Sequence, residues 1–123
     1  MPAFRSLVPM LPVADVERSI AFYMKLGFEV RNTFQPGGAA APTWAWLESG
    51  GGAQLMLAGA DPPPEPGRQG VLFYLYCDDV AAAHAELRAA GVEAGPITHP
   101  FYCPQGEFRM VDADGHVLMI AHT

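Results

Sequence analysis

Positive charge is scarce in this sequence. The chain of 123 residues carries seven Lys and Arg against thirteen Asp and Glu, a formal net charge of −6. Proteins that bind nucleic acid neutralise phosphates with clustered Lys and Arg, so we expect no nucleic-acid partner. Charged residues make up only 16% of the chain, whereas 50% of the residues are hydrophobic. That balance excludes a disordered chain and predicts one folded domain with a large buried area.

Long apolar runs and export signals are also missing. No stretch approaches the roughly 18 consecutive apolar residues of a membrane-spanning helix. The first twenty residues contain several prolines together with Asp15 and Glu17, which does not fit a signal peptide. We therefore expect a cytoplasmic protein with no membrane partner.

Cysteine is nearly absent. Cys77 and Cys103 cannot build a disulfide framework or a four-cysteine metal site. In a cytoplasmic protein they are expected to be reduced thiols, serving as small buried hydrophobic side chains. No neighbouring base that would activate a nucleophilic thiol can be identified from the sequence.

Glycine and proline, by contrast, are plentiful, with thirteen and twelve residues. They occur in clusters, which mark turns and linkers, and the most proline-rich cluster falls at residues 61–67 in the middle of the chain. The sequence therefore predicts a first module at about 4–60, a linker at 61–70 and a second module at about 71–123.

The two halves repeat each other. An offset of 64 places Asp15 on Asp79 and Gly27 on Gly91, and an offset of 63 places residues 52–58 on 115–121. In each half an apolar run precedes an Asp that can cap a helix, and Gly ends that helix. The predicted strands are 7–13, 28–34, 43–48 and 53–58, then 71–77, 92–97, 107–111 and 116–121, with helices after Asp15 and Asp79. The sequence thus predicts an α+β fold of two tandem βαβββ modules.

The helix signature at residues 11–28 and the turn Asp112-Ala113-Asp114-Gly115-His116 resemble the vicinal oxygen chelate superfamily. Its members include glyoxalase I, extradiol dioxygenases and the bleomycin-resistance proteins. The resemblance covers nearly the whole chain. It implies that the sheets of the paired modules curl into an open cup with the helices outside, that a ligand sits in the cup, and that the chain forms a homodimer.

Enzymes of this superfamily usually hold a metal through the first and last strand of each module. The corresponding positions here are Val8, Met56, Leu72 and Met119. Hard cations need carboxylate, imidazole or water ligands, so we predict no metal and no cofactor. Most similar are then the metal-free bleomycin-resistance-type binding proteins. The other candidate ligands are histidines for which structural or solvated roles are expected: His84, His99, His116 and, at the frayed C-terminal end, His122.

Strand alternation predicts which side chains line the cup. With tight hairpins, Trp46 lies opposite Met56 and Arg109 lies opposite Met119. The predicted ligand-binding residues share a cup-facing position on a strand or on a loop that could cover it: Trp44, Trp46, Met56, Tyr74, Tyr76, Tyr102, Glu107, Arg109 and Met119. Trp and Tyr carry polar groups that need partners, which favours a ligand cup over a filled core. A register slip of one residue would turn every strand side chain to the other face.

Three functions remain open. The favoured one is a small-molecule binding protein that sequesters an aromatic or amphipathic ligand, with antibiotics among the candidates and no catalysis. The second is a metal-independent lyase or isomerase that uses Glu107 as acid or base and Arg109 to hold an anion. The third is a divergent metal-dependent enzyme whose ligands lie elsewhere. The sequence does not name the ligand.

Overall fold

Seven strands and two helices follow one another in the computed structural model, which describes residues 1–123. They are β1 (Met10–Val13), α1 (Val16–Lys25), β2 (Phe28–Phe34), β3 (Trp44–Ser49), β4 (Gln54–Gly59), β5 (Leu72–Cys77), α2 (Val80–Ala89), β6 (Glu107–Val111) and β7 (Val117–His122). The chain divides into two compact units, Met1–Pro63 and Pro64–Thr123, which we call the first and the second module. Neither helix is long and apolar enough to cross a membrane.

Both helices begin at the predicted aspartates. The carboxylate of Asp15 accepts from the backbone N–H of Arg18 at 3.1 Å, and that of Asp79 accepts from the N–H of Ala82 at 2.9 Å. Each bond satisfies one of the free N–H groups of a first helical turn. At the other end, Gly27 has a φ of 91° just beyond the helix, a conformation that favours glycine.

The first module forms a sheet of four strands in the order β1-β4-β3-β2, with β1 parallel to β4 and the other pairs antiparallel. Strand β1 lies at the edge, as its prolines predict. It begins at Met10 and not at Leu7, because Pro9 has no N–H and joins the ladder only through its carbonyl, which accepts from Met56 at 2.8 Å. Val8 therefore lies outside the strand.

The second module has three strands in the order β5-β7-β6, so the predicted strand at 92–97 is wrong. Gly95 and Thr98 join β6 through backbone hydrogen bonds at two separate places. Gly95 N–H donates to the Arg109 carbonyl at 2.9 Å, and Thr98 forms an isolated bridge with Glu107. Pro96 lies between them and has no N–H to donate, which interrupts a continuous ladder. The second module is thus βαββ with an irregular segment along β6.

In each module one face of the sheet is apolar and buried. The buried residues of the first module are Leu11, Val13, Tyr23, Phe28, Ala45, Leu47, Leu55 and Leu57, and those of the second include Val80, Leu87, Phe108, Met110, Leu118 and Ile120. Helix α2 adds His84, whose ring packs edge-on against Phe108 with centroids 4.9 Å apart. Burial of these apolar side chains is the main favourable contribution to folding, and it directs the alternate residues of each strand to the opposite face.

The turn between β6 and β7 is held by one carboxylate. Oδ1 of Asp112 accepts from the backbone N–H groups of Asp114 and His116, both at 2.9 Å. Gly115 has a φ of 87° there, and a Cβ at this position would lie 2.7 Å from the Cα of Pro66. The turn therefore needs glycine both for its backbone conformation and for the space it leaves.

Candidate functional site

The hairpin of β3 and β4 has the predicted register. Trp46 lies opposite Met56 and Trp44 lies opposite Ala58. The intervening Ala45 is fully buried, as is Leu47, whereas both indoles are only partly buried. Since successive side chains of a strand point to opposite faces, the two tryptophans lie on the face away from the apolar core. The predicted side-chain directions of β3 are confirmed.

A row of side chains crosses the first module on this open face. Pairing across three ladders places Met10, Met56, Trp46 and Asn32 side by side. Trp46 Nε1 donates to Oε1 of Gln54 at 3.2 Å, which satisfies the polar edge of the indole inside the hairpin. Gln54 is not among the predicted ligand-binding residues, although it lies across from Glu48, two pairs along the ladder from Trp46 and on the same face. The row offers apolar and aromatic surface with amide groups at one side.

The second module carries a corresponding open face. Arg109 lies opposite Met119 and Glu107 opposite Ala121, as predicted, and Tyr74 pairs with Met119 on the other side. The rings of Tyr74 and Tyr76 stack with centroids 6.0 Å apart and planes inclined by 27°. Tyr76 is 66% exposed, so this stack is not part of a filled core.

Glu107 is the one deeply buried acid of this face, with 3% of its surface exposed. Its Oε1 accepts from the hydroxyl of Tyr102 at 2.7 Å. Its Oε2 is buried and has no hydrogen-bond partner. A buried carboxylate oxygen without a donor is unusual, because leaving it unpaired costs free energy.

Tyr102 reaches Glu107 from the loop that follows the isolated bridge. The backbone of this loop is fixed by two turns, in which Cys103 N–H donates to Pro100 and Gly106 N–H donates to Cys103. The hydrogen bond to Glu107, followed by a hydrogen bond with Tyr74, raises the pKa of the Tyr102 phenol well above its ordinary value. The predicted covering loop thus brings Tyr102 to Glu107 and Tyr74, while Tyr102 itself stays 61% exposed.

Arg109 is exposed, and its guanidinium forms neither a hydrogen bond nor an ion pair. In particular, it does not pair with Glu107, two residues earlier on the same face. Arg109 also borders a groove of about 910 Å³ that runs along residues 91–96 and the end of α2, where Arg88 is a second exposed cation. A guanidinium without a partner is available to an anionic or hydrogen-bond-accepting group.

Comparison with known proteins places this geometry in a family. The family model described as Glyoxalase/Bleomycin resistance protein/Dioxygenase superfamily matches residues 6–120. The chain belongs to this superfamily. The resemblance stated from the helix signature and the Asp112–His116 turn is thereby confirmed. No curated protein matches the chain significantly.

Solved structures share the fold of this superfamily member. A bleomycin-binding protein in complex with bleomycin is 21% identical, with 98% of this chain and 99% of that chain covered and a TM-score of 0.77. A bleomycin resistance determinant encoded on the transposon Tn5 is 22% identical, with 98% of each chain covered and a TM-score of 0.78. TnmS3, an antibiotic binding protein from Streptomyces sp. CB03234, is 24% identical, with 99% and 98% covered and a TM-score of 0.77. The predicted α+β fold class is confirmed.

The superfamily's metal does not fit the residues present. Its four expected positions hold Val8, Met56, Leu72 and Met119, which offer no carboxylate or imidazole. No group of three or more His, Cys, Asp or Glu side chains could hold a metal ion elsewhere. Hard cations require oxygen or imidazole donors, which these four positions lack.

The histidines make local contacts. His84 Nε2 donates to the Gly95 carbonyl at 2.8 Å, and His99 Nδ1 donates to the Pro104 carbonyl at 3.0 Å. His116 is buried beside Phe73. His122 lies in β7 and not at a frayed end, because β7 runs one residue further than predicted and pairs with β5.

Neither thiol has an activating neighbour. Burial raises the pKa of the Cys77 thiol above its ordinary value. Cys103 is buried, and its Sγ donates to the carbonyl of Gly106 at 3.2 Å. A nucleophilic cysteine needs a lowered pKa or a paired base, so these contacts favour structural roles.

Proposed function

We propose that the chain binds an aromatic or amphipathic small molecule on the open faces of its sheets and releases it unchanged. The observation that carries this proposal is the exposure of polar-tipped aromatic side chains at alternating strand positions, namely Trp44 and Trp46 on β3 and Tyr74 and Tyr76 on β5. Core positions usually hold aliphatic residues or Phe, whereas Trp and Tyr are typical of binding surfaces. That both pairs contact one ligand stays a prediction.

Free-energy considerations are compatible with binding through these residues alone. A micromolar complex needs about 8 kcal/mol of net binding free energy. Each well-placed aromatic pair contributes about 0.5–1.5 kcal/mol beyond the burial of apolar area, and a hydrogen bond to a charged group about 1.5–3 kcal/mol. The two phenols and the unpaired Arg109 of the second module can therefore supply part of the required free energy, as can the two indoles of the first, and burial of the ligand's apolar surface adds to it.

Antibiotics are the ligand class that the solved structures suggest. One of them contains bleomycin, and another is described as an antibiotic binding protein. Both are under 25% identical to this chain, so the likeness selects compounds to test first. A role in antibiotic resistance by sequestration would follow from tight binding of such a compound.

An enzyme that works without a metal is the second candidate. The observation that favours it is the buried Glu107 with one unpartnered oxygen, since a carboxylate placed in this way can accept a proton from a substrate. Arg109 on the same face would hold an anionic group of that substrate. Apart from the hydroxyl of Tyr102, no side chain is hydrogen-bonded to the carboxylate of Glu107, which favours binding over turnover.

A fluorescence titration of the two tryptophans tests the proposal. We expect bleomycin or another planar aromatic compound to give saturable quenching, and the bound compound to be recovered chemically unchanged by mass spectrometry. Recovery of a converted compound would support the enzyme. Absence of saturable quenching across a broad panel of aromatic compounds, at concentrations up to their solubility, would overturn the binding proposal.

A further inference from the structure

We propose that Glu107 recognises a protonated amine on the ligand, so that the chain selects aromatic amines over neutral or acidic aromatics. This inference rests on the proposed binding function and names the chemical class of ligand for the second module's open face. The observation behind it is that Oε2 of Glu107 is buried and lacks a donor.

The chain itself offers no donor to this oxygen. The hydroxyl of Tyr102 is engaged with Oε1, and Thr98 meets Glu107 only through backbone atoms and its own side-chain bond to the Glu107 carbonyl. Arg109 is the one cation on the same strand, and it forms no ion pair with Glu107. A ligand N–H would fill this vacant acceptor position, which otherwise makes burial of the carboxylate costly.

The surroundings favour an ammonium group over a neutral donor. A hydrogen bond between two charged groups is roughly twice as strong as one between neutral groups. The rings of Tyr74 and Tyr76 stack on the same face, and the hydroxyl of Tyr102 is hydrogen-bonded to Glu107. Faces of aromatic rings attract cations, and the net charge of −6 favours a cationic ligand at longer range.

Arg109 adds a second condition on the ligand. It lies two residues after Glu107 on the same face of β6, which corresponds to a separation of roughly 6.6 Å along the strand. Its guanidinium is without a partner and would repel a bare cation placed next to it. An aromatic ligand with an acidic group about one ring length from its amine would satisfy both residues.

In the proposed complex the Tyr102 side chain turns outward and leaves both oxygens of Glu107 to the amine. That side chain is 61% exposed, and its backbone is held independently by the Pro100–Cys103 and Cys103–Gly106 turns. The side chain can therefore turn while the loop backbone stays in place, and the ligand's ammonium replaces the phenol hydroxyl at Glu107. Tyr102 then acts as a positioning residue that competes with the amine.

Four matched probes test this inference by chemical-shift titration: 4-(aminomethyl)benzoate, benzylamine, benzoate and benzyl alcohol. We expect the two amines to bind more tightly than benzyl alcohol. Glu107→Gln should weaken the amines about tenfold and leave benzyl alcohol and benzoate unchanged. Glu86→Gln makes the same charge change at an exposed position of α2 and should alter none of the four. Equal affinity of benzylamine for the chain and for Glu107→Gln would overturn the inference.

Tyr102→Phe is the second variant and does not depend on Glu107→Gln being folded. Removal of the hydroxyl leaves both oxygens of Glu107 to the ligand, so the amines should bind more tightly while the protein becomes less stable. A purely structural role of Glu107 predicts only the loss of stability, and unchanged or weaker amine binding would contradict the proposal. If no probe binds and aromatic antibiotics also fail, the proposed function itself is wrong; if neutral aromatics bind without preference for amines, only this inference fails.

Discussion

The indole N–H of Trp46 donates to the side-chain oxygen of Gln54 across the β3–β4 hairpin, at 3.2 Å. The tight turn between the two strands holds Gln54 beside Trp46, so this bond fixes the plane of the indole ring before a ligand binds. A ring held in advance loses less side-chain entropy on binding. Trp46 is therefore the aromatic residue of the first module best prepared for a ligand.

Trp46→Ala should lower the binding free energy of an aromatic ligand by roughly 1–3 kcal/mol, as is usual for an aromatic binding residue. The melting temperature should change little, because Trp46 lies on the open face and is only partly buried. Leu47→Ala is the matched control on the adjacent, fully buried position, and it should cost about 2–5 kcal/mol of stability. Calorimetric titration and thermal unfolding measure the two effects. A large loss of stability in Trp46→Ala without loss of affinity would assign the indole to the core.

The sequence predicts the fold well where local interactions determine where a helix or strand begins. Asp15 and Asp79 cap their helices because a side-chain oxygen next to free N–H groups is a strong start signal. The repeat between the modules also predicts the hairpin registers. The prediction from the repeat fails at residues 92–97. The repeat implies a strand there, whereas Gly95 and Pro96 disfavour strand formation. The chain follows its own local chemistry at that point.

The site is predicted in part. Alternation along β3 and β6 identifies the faces of Trp46 and Arg109 because buried neighbours fix the register. The bond between Tyr102 and Glu107 could not be predicted, since it depends on how the loop of 98–106 turns back over β6. Loop geometry of this kind arises from several turns acting together and leaves no periodic signal in the sequence.

Metal content is a direct test of the donor analysis. Met56 and Met119 occupy the last-strand positions where the superfamily's enzymes typically place carboxylates, and a thioether is a poor ligand for a hard cation. Protein purified without chelator should therefore contain no stoichiometric Zn, Mn, Ni or Fe by elemental analysis. One tightly bound ion per chain would show that the ligands lie at residues outside these positions.

Exposed apolar side chains predict self-association. Met10 and Phe34 on the first module are each 57% exposed, and Leu72 on the second is 54% exposed. Apolar surface of this kind usually marks an interface, and the superfamily resemblance implies a homodimer. Light scattering at micromolar concentration should give the mass of two chains. A mass of one chain that persists at high micromolar concentration would contradict this prediction.

Two glycines with the same backbone conformation allow a matched test of packing. Gly52 and Gly115 have φ values of 95° and 87°, so alanine at either position adopts a strained conformation at a cost of about 1–2 kcal/mol. A Cβ on Gly52 would meet nothing within 4 Å, whereas one on Gly115 would lie 2.7 Å from Pro66. Gly115→Ala should therefore be clearly less stable than Gly52→Ala in denaturant unfolding. Equal losses of stability in the two variants would show that the segment around Pro66 shifts without a free-energy cost.

Ionisation of Tyr102 reports on its bond to Glu107. The carboxylate of Glu107 accepts a hydrogen bond from the phenol of Tyr102. This bond raises the pKa of Tyr102 above the value of about 10 that a tyrosine has in an unfolded chain. A group whose pKa is raised by folding stabilises the protein fully below the unfolded value, and this stabilisation is lost as the pH rises through the folded value. The contribution of Tyr102 should therefore be intact at neutral pH and disappear only in strong alkali.

Tyrosinate absorbance measures this ionisation directly. Comparison with Tyr102→Phe isolates the signal of Tyr102 from that of the other three tyrosines. Glu107→Gln replaces the carboxylate by a neutral acceptor, which should move the Tyr102 transition to lower pH, whereas Glu86→Gln on the exposed face of α2 should leave it in place. A transition that stays unchanged in Glu107→Gln would mean that Tyr102 and Glu107 are not coupled in solution.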